Sequence, residues 1–258
     1  AQLSIGLVSA QHVQWGTGGA AATAERRATR TAIDVLRSGG NAVDATVAVA
    51  YTLGVVEPFG SGIGGGGAML VQPVDGEARY YDYREVAPAS GELPASDIGV
   101  PGFVAGVAHV HEEHGSLGIA GLIEYAARLA DDGVEVDTYL AERLAAAAHR
   151  MPIHLLPRWF PDGQPIAAGE TLRQPEYAEA LRLIQEQGED VMYTGELAEA
   201  IADAVDGLSM DDLAGYEVLE TDPAVGTFAG RQVVSGGAPV SGAPLVQLLQ
   251  IAEDRGIA

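Results

Sequence analysis

Apolar positions in the first forty residues recur at helical spacing. Ala28, Ala32, Val35 and Leu36 fall on one side of an Ala-rich run from Ala20 to Arg37, which predicts a helix stopped by Ser38-Gly39-Gly40. Asn41 then caps a second helix, with Asp44 three residues on completing a capping-box pair, and Ala42 to Leu53 is apolar almost all round. A helix with no polar face is buried. Two β-prone runs, Ala68 to Val71 and Ala78 to Arg84, flank Asp75-Gly76 and predict a hairpin. Helical patterns follow at Phe103 to His114, Leu117 to Asp131, Thr138 to His149, Glu176 to Gln187 and Glu196 to Val205. Trp159-Phe160-Pro161-Asp162-Gly163 reads as a turn with aromatic anchors. Ser209 caps a short turn over Asp211-Asp212-Leu213, and strands are expected at Tyr216 to Leu219 and Arg231 to Ser235. A second Gly-rich loop, Gly236 to Gly242, opens a helix from Pro244 to Glu253. There is no internal repeat and no Ser/Pro-rich linker, so residues 1–258 are expected to form a single domain.

Charge changes the picture more than length does. The 258 residues hold 36 Asp plus Glu against 14 basic residues, a formal net charge of -22, and all 14 basic residues are Arg. Such a surface repels phosphate backbones and anionic lipid, so neither nucleic acid nor a membrane is an expected partner of this chain. With 47% hydrophobic residues the chain has enough apolar content for a core, unlike an acidic disordered tail. Many acids, no Lys, 34 Gly and only 6% aromatics predict adaptation to very high salt, where screening collapses self-repulsion. The plainer alternative is an ordinary acidic protein encoded at high GC content. Absence of Cys excludes disulfides, thiolate metal sites and a Cys nucleophile. The chain opens Ala1-Gln2-Leu3 without Met, as a processed or trimmed terminus would, which leaves a cytoplasmic or an extracytoplasmic location open.

Several motifs invite chemistry, and most have a simpler explanation. Gly60, Gly62 and Gly65 satisfy G-x-G-x-x-G, but a helix precedes this run and a strand follows it, the reverse of a dinucleotide site. Six glycines in eight residues still require backbone that approaches something closely or takes positive φ, at a packing crossing or in a pocket wall. His109, His111 and His114, with Glu112 and Glu113, read as a solvated polar helix face, with no third metal ligand evident. Asp131-Asp132 and Asp211-Asp212 likewise read as solvated acids, and no nucleophile elbow marks a Ser-His-Asp triad. No metal and no cofactor is expected. Arg84, at the end of the predicted hairpin in Asp82-Tyr83-Arg84-Glu85, either clamps a carboxylate or forms an internal ion pair with Asp82 or Glu85.

Taken together, these blocks make the chain resemble the first, larger subunit of γ-glutamyltranspeptidases. The match is collinear: Gly39-Gly40-Asn41-Ala42-Val43-Asp44-Ala45, Val55-Val56-Glu57-Pro58, the run Ser61 to Gly67, and Tyr83-Arg84-Glu85-Val86-Ala87-Pro88. It continues through Val100-Pro101-Gly102, Phe160 to Gly163, Tyr193-Thr194-Gly195 and Asp212-Leu213-Ala214-Gly215-Tyr216. The resemblance implies an α+β fold, the αββα sandwich of N-terminal-nucleophile hydrolases, with this chain its helix-rich large-subunit part. It implies a self-cleaving precursor whose second subunit begins with a nucleophilic Thr, attack on a γ-glutamyl amide such as glutathione, and an acyl-enzyme that passes to water or an amino acid. It also implies that Arg84 holds the substrate's α-carboxylate. Gly237 to Ala243 departs from the family's Pro-Pro-Pro-Ser-Ser-Gly-Gly, and no stretch matches the nucleophilic Thr. The expectation is therefore a fragment, or one chain of a split enzyme that needs a small-subunit partner or downstream segment. Alternatives are a cephalosporin-acylase-like or oxamate-hydrolase-like amidohydrolase, or a non-catalytic binding module of the same fold.

Overall fold

The computed structural model describes residues 12–15, 18–92 and 98–257. The chain divides into two compact units, one running through Ile63 and resuming at His111–Glu199, the other made of Gly64–Val110 and the residues from 200 onward. Among the described residues no helix is long and apolar enough to cross a membrane.

The first unit is mainly helical. Strands β1 (His12–Trp15) and β2 (Ala20–Thr23) pair antiparallel ahead of α1 (Arg26–Arg37) and α2 (Ala42–Val56). The helix expected from Ala20 therefore begins six residues late. Alanine favours helix, but cross-strand pairing with β1 takes Ala20–Thr23 before the side chain of Glu25 accepts from the backbone N–H groups of Arg27 and Ala28 and starts α1. The helix α2 packs between α1 and α4 (Ile119–Asp132), which explains its all-round apolar surface, and α6 (Pro175–Gln187) closes over α4. Ala28, Ala32, Val47, Tyr51, Val55, Ile123, Ala126 and Leu181 form the buried seam. Small residues let these helices approach closely. The capping box predicted at Asn41 and Asp44 is present. The remaining elements are a two-stranded β5 (Val134–Glu135) and β6 (Thr171–Leu172) pair, α5 (Thr138–Ala147), α7 (Asp190–Tyr193) and the start of α8 (Glu196–Ala204). Phe160 is buried at the predicted aromatic turn.

The second unit is built on a three-stranded antiparallel sheet, β3 (Gly67–Val71), β4 (Arg79–Tyr83) and β7 (Leu219–Thr221), with β4 in the centre. The hairpin forms in the expected place. The first of the two expected late strands starts later than predicted, at Leu219, after the one-turn helix α9 (Met210–Ala214) that Ser209 and Asp212 cap reciprocally. The strand β8 (Ala224–Phe228), not anticipated from the sequence, pairs with β9 (Arg231–Ser235), and α10 (Gly242–Asp254) packs on it. Gly226 is what lets Val246 of α10 sit against the hairpin.

Candidate carboxylate-binding site

Alternation along β4 sorts its side chains onto two faces. Tyr81 and Tyr83 point at α3 (Phe103–His114): the Tyr81 ring lies 5.8 Å from that of His109, edge on, and Gly106 leaves room for the ring of Tyr83. Tyr80, Asp82 and Arg84 share the opposite face, where Gly236 of the second Gly-rich loop lies against the Tyr80 ring. A Cβ on Gly236 would come within 2.5 Å of that ring.

Strand geometry thus places Asp82 and Arg84 side by side, and they meet through two parallel hydrogen bonds. Arg84 Nε donates to Asp82 Oδ1 at 2.9 Å, and Nη2 donates to Oδ2 at 2.7 Å. The backbone N–H of Arg84 adds a third bond to Oδ1 at 3.2 Å. Asp82 is 7% exposed, whereas the Arg84 side chain is 41% exposed. The guanidinium hydrogen bonds hold the Asp82 carboxyl below its ordinary range against the opposing pull of burial, and the same bonds raise Arg84 further. Of the five N–H donors on a guanidinium, two are directed at Asp82 and the outer edge retains the rest. Of the two partners weighed from sequence for an internal ion pair, the fork takes Asp82.

The Gly-rich run explains how this segment is held. A Cβ on Gly66 would lie 2.6 Å from the carbonyl oxygen of Tyr83 and 2.7 Å from Arg84 Cα, so only glycine permits the crossing. Gly65 accepts from the N–H groups of Gly102 and Phe103 at the start of α3. Of the two readings left open, Gly66 realises the packing crossing, directly on the Arg84 backbone.

A second cluster forms in the other unit around Asp44, which is fully buried. Its carboxylate accepts from the N–H groups of Asn41, Ser116 and Leu117 at 2.8, 2.9 and 3.2 Å and from the Ser116 hydroxyl. Burial pulls its pKa up, but the Ser116 hydroxyl and these main-chain donors together bring it below the usual carboxylate value. His111 Nε2 lies 3.4 Å from Asp44 Oδ1 and is shut off from solvent. This corrects the expectation of a wholly solvated His and Glu face: Glu112 and Glu113 are exposed, but His111 turns inward, its Nε2 toward Asp44. Asp212 is also not simply a solvated acid, since it caps α9 and accepts from the N–H of Ala89 at 2.7 Å. Neither role was read from Asp211-Asp212 alone; the Asp-Leu-Ala-Gly-Tyr block was the available signal.

The sequence profile of the gamma-glutamyltranspeptidase family matches residues 28–257. The chain is 42% identical over 221 residues to the capsule biosynthesis protein CapD proenzyme of Bacillus anthracis, covering 86% of this chain and 42% of that protein. It is 34% identical over 261 residues to the glutathione hydrolase proenzyme of Escherichia coli, covering 92% of this chain and 45% of the relative. The chain therefore spans less than half the length of these relatives. Among solved structures, the transpeptidase CapD of Bacillus anthracis superposes with a TM-score of 0.87 at 40% identity, covering 94% of this chain and 84% of that one. Helicobacter pylori gamma-glutamyltranspeptidase also gives 0.87, at 29% identity, with 94% and 77% covered. A cephalosporin acylase from Bacillus halodurans is more distant, at 0.73 and 28% identity, with 81% and 44% covered. The fold is that of the N-terminal-nucleophile hydrolases. Within them, the chain belongs to the gamma-glutamyltranspeptidase family.

Proposed function

We propose that this chain is the large-subunit part of an enzyme that cleaves γ-glutamyl amides such as glutathione, and that Arg84 holds the substrate's α-carboxylate. The observation that carries the reading is the half-exposed fork of Arg84: Asp82 takes one edge and fixes it, and the outer edge keeps the paired-donor geometry that suits a carboxylate. In this reading the nucleophilic Thr and the amine that serves as its base come from a downstream segment released by self-cleavage. That Thr attacks the γ-carbonyl, the amine leaves, and water or an amino acid takes the acyl group. Fixing the distal carboxylate positions the γ-carbonyl for this attack, a role of orientation rather than chemistry.

The test is release of chromophore from a γ-glutamyl anilide by the 258-residue chain and by the protein extended through the downstream segment. Turnover is expected only from the extended protein. Robust turnover by the short chain would place the nucleophile here and overturn the division of labour. The higher identity to a capsule-biosynthesis transpeptidase than to a glutathione hydrolase favours a second reading, in which the acyl group passes to an amine acceptor in preference to water. Product analysis with and without added amines separates the two.

The charge of -22 and the absence of Lys support a further part of the proposal, that the protein works at high salt. The Debye length shrinks from about 10 Å at 0.1 M to about 3 Å at 1 M, so repulsion among the acids collapses. A thermal midpoint that climbs steeply from low to multimolar KCl is expected, and a flat curve removes this part.

A further inference from the structure

The Asp212-Leu213-Ala214-Gly215-Tyr216 block takes no part in the chemistry above, yet both its ends reach the segment that begins at Arg84. The Tyr216 hydroxyl donates to the carbonyl oxygen of Arg84 at 3.0 Å, and Asp212 Oδ1 accepts from the N–H of Ala89 at 2.7 Å. These partners are separated by 132 and 123 residues, so chain proximity does not account for either bond.

The block is itself rigidly seated. Leu213 is fully buried beneath it, and Asp212 divides its two oxygens. Oδ2 accepts from the N–H of Ser209 at 2.9 Å and from the Ser209 hydroxyl, closing the cap of α9, while Oδ1 reaches out to Ala89. At the other end a Cβ on Gly102 would overlap both the Tyr216 hydroxyl and the Tyr83 carbonyl, so the glycine is what admits the tyrosine.

We infer that Tyr216 and Asp212 are positioning residues for Arg84, a two-point splint on the backbone from Arg84 to Ala89. This rests on the clamp reading of Arg84. Asp82 on β4 fixes the far end of the Arg84 side chain, and the splint fixes its near end. Paired hydrogen bonds to a carboxylate depend on both direction and distance, so a backbone shift at Arg84 turns the outer edge away from the ligand even while the bond to Asp82 survives.

Tyr216→Phe removes one hydroxyl and leaves the ring in place, which suits the test. In the complete enzyme, KM for a γ-glutamyl anilide should rise about fivefold, the loss expected for one hydrogen bond, with kcat unchanged. KM for the same substrate with its α-carboxylate amidated should not change. In an Arg84→Lys background, Tyr216→Phe should add less than about twofold, because the two residues act through one contact. Equal KM losses on both substrates, or full additivity with Arg84→Lys, would overturn the splint while leaving the clamp intact. If Arg84→Lys itself leaves carboxylate discrimination unchanged, the clamp reading fails and the splint fails with it, an outcome distinct from the first. Should Tyr216→Phe not fold, Asp212→Asn weakens the same support from its other end and must show the same coupling.

Discussion

Asp44 and Asp82 are both buried acids held below the ordinary carboxylate pKa, but they are held by different partners. Asp44 is enclosed by main-chain N–H groups and a serine hydroxyl, all neutral and each directed at it. Asp82 is met by a charged guanidinium whose outer edge faces solvent. Around Asp44 the hydrogen bonds close on themselves and join the start of α2 to the loop before α4. Around Asp82 they leave directional capacity over. A buried charge is structural in the first case; in the second it orients another charge that still has donors to offer.

The largest effect should come from the closed cluster. Asp44→Ala removes a fully buried carboxylate and leaves the N–H groups of Asn41, Ser116 and Leu117 without their acceptor. A donor left unmade on burial costs about 1–3 kcal/mol, and with three partly buried donors a loss of roughly 3 kcal/mol is expected in urea unfolding. Any activity that remains per folded molecule should match the wild type. If stability holds and activity vanishes, the contrast between the two acids is wrong.

That cluster also marks how far the sequence could be read. The Asn41 and Asp44 pair was legible because a capping box is local, three residues apart on one turn. Its other half, Ser116 and Leu117, lies more than seventy residues away and follows only from packing of α4 on α2. The hairpin of β3 and β4 was legible for the same local reason, and alternation on β4 paired Asp82 with Arg84. The strand expected from Tyr216 rests on Tyr216, Val218 and Leu219, but pairing with β4 begins only at Leu219, while the Tyr216 hydroxyl reaches the distant carbonyl of Arg84. The helix expected from Ala20 starts too early because three alanines in a row favour helix locally, and only the pairing of β2 with β1 overrides that preference. The nature of the ligand was not legible from physics at all, since a fork on a strand end serves an internal acid and a substrate equally well. Family resemblance decided that reading.

A middle-sized effect sharpens the open side of the comparison. Arg84→Lys keeps the charge and loses the planar fork, so kcat/KM of the complete enzyme should fall by roughly tenfold, about 1.4 kcal/mol, while the unfolding midpoint barely moves. Amidating the substrate's α-carboxylate should cost the wild type much of its activity and the variant little. Asp82→Asn should raise KM with kcat held, because the fork loses its orienting partner but keeps its donors. Preserved carboxylate discrimination in both Arg84→Lys and Arg84→Ala would make the pair a structural one, like Asp44, and withdraw the site.

The smallest effect separates the two acids by how they respond to salt. Each has a folded-state pKa below its ordinary value of 3.8, so the stability it contributes is complete above that pH. It is lost as the pH falls below 3.8 through the lower folded-state value, because the unfolded chain then binds the proton first. For Asp82 the source is a guanidinium open to solvent, and salt screens it; for Asp44 it is the Ser116 hydroxyl and main-chain N–H groups, neutral donors whose hold depends less on salt. Glu57 runs the other way: burial, then Glu25 and Asp137, raise its pKa, so it opposes folding as the pH rises through its ionisation. The measurement is unfolding free energy against pH for the wild type, Asp44→Asn and Asp82→Asn, at about 0.1 and 1 M NaCl, the range over which the Debye length falls about threefold. Taking each variant's difference from the wild type at the same salt cancels the general relief of acidic repulsion. Between the two salt concentrations, the acid-side difference for Asp82→Asn should shrink and that for Asp44→Asn should stay. Equal shrinkage in both would mean that solvent reaches the Asp44 cluster as freely as the Arg84 fork, and the division between a closed acid and an open one would no longer stand.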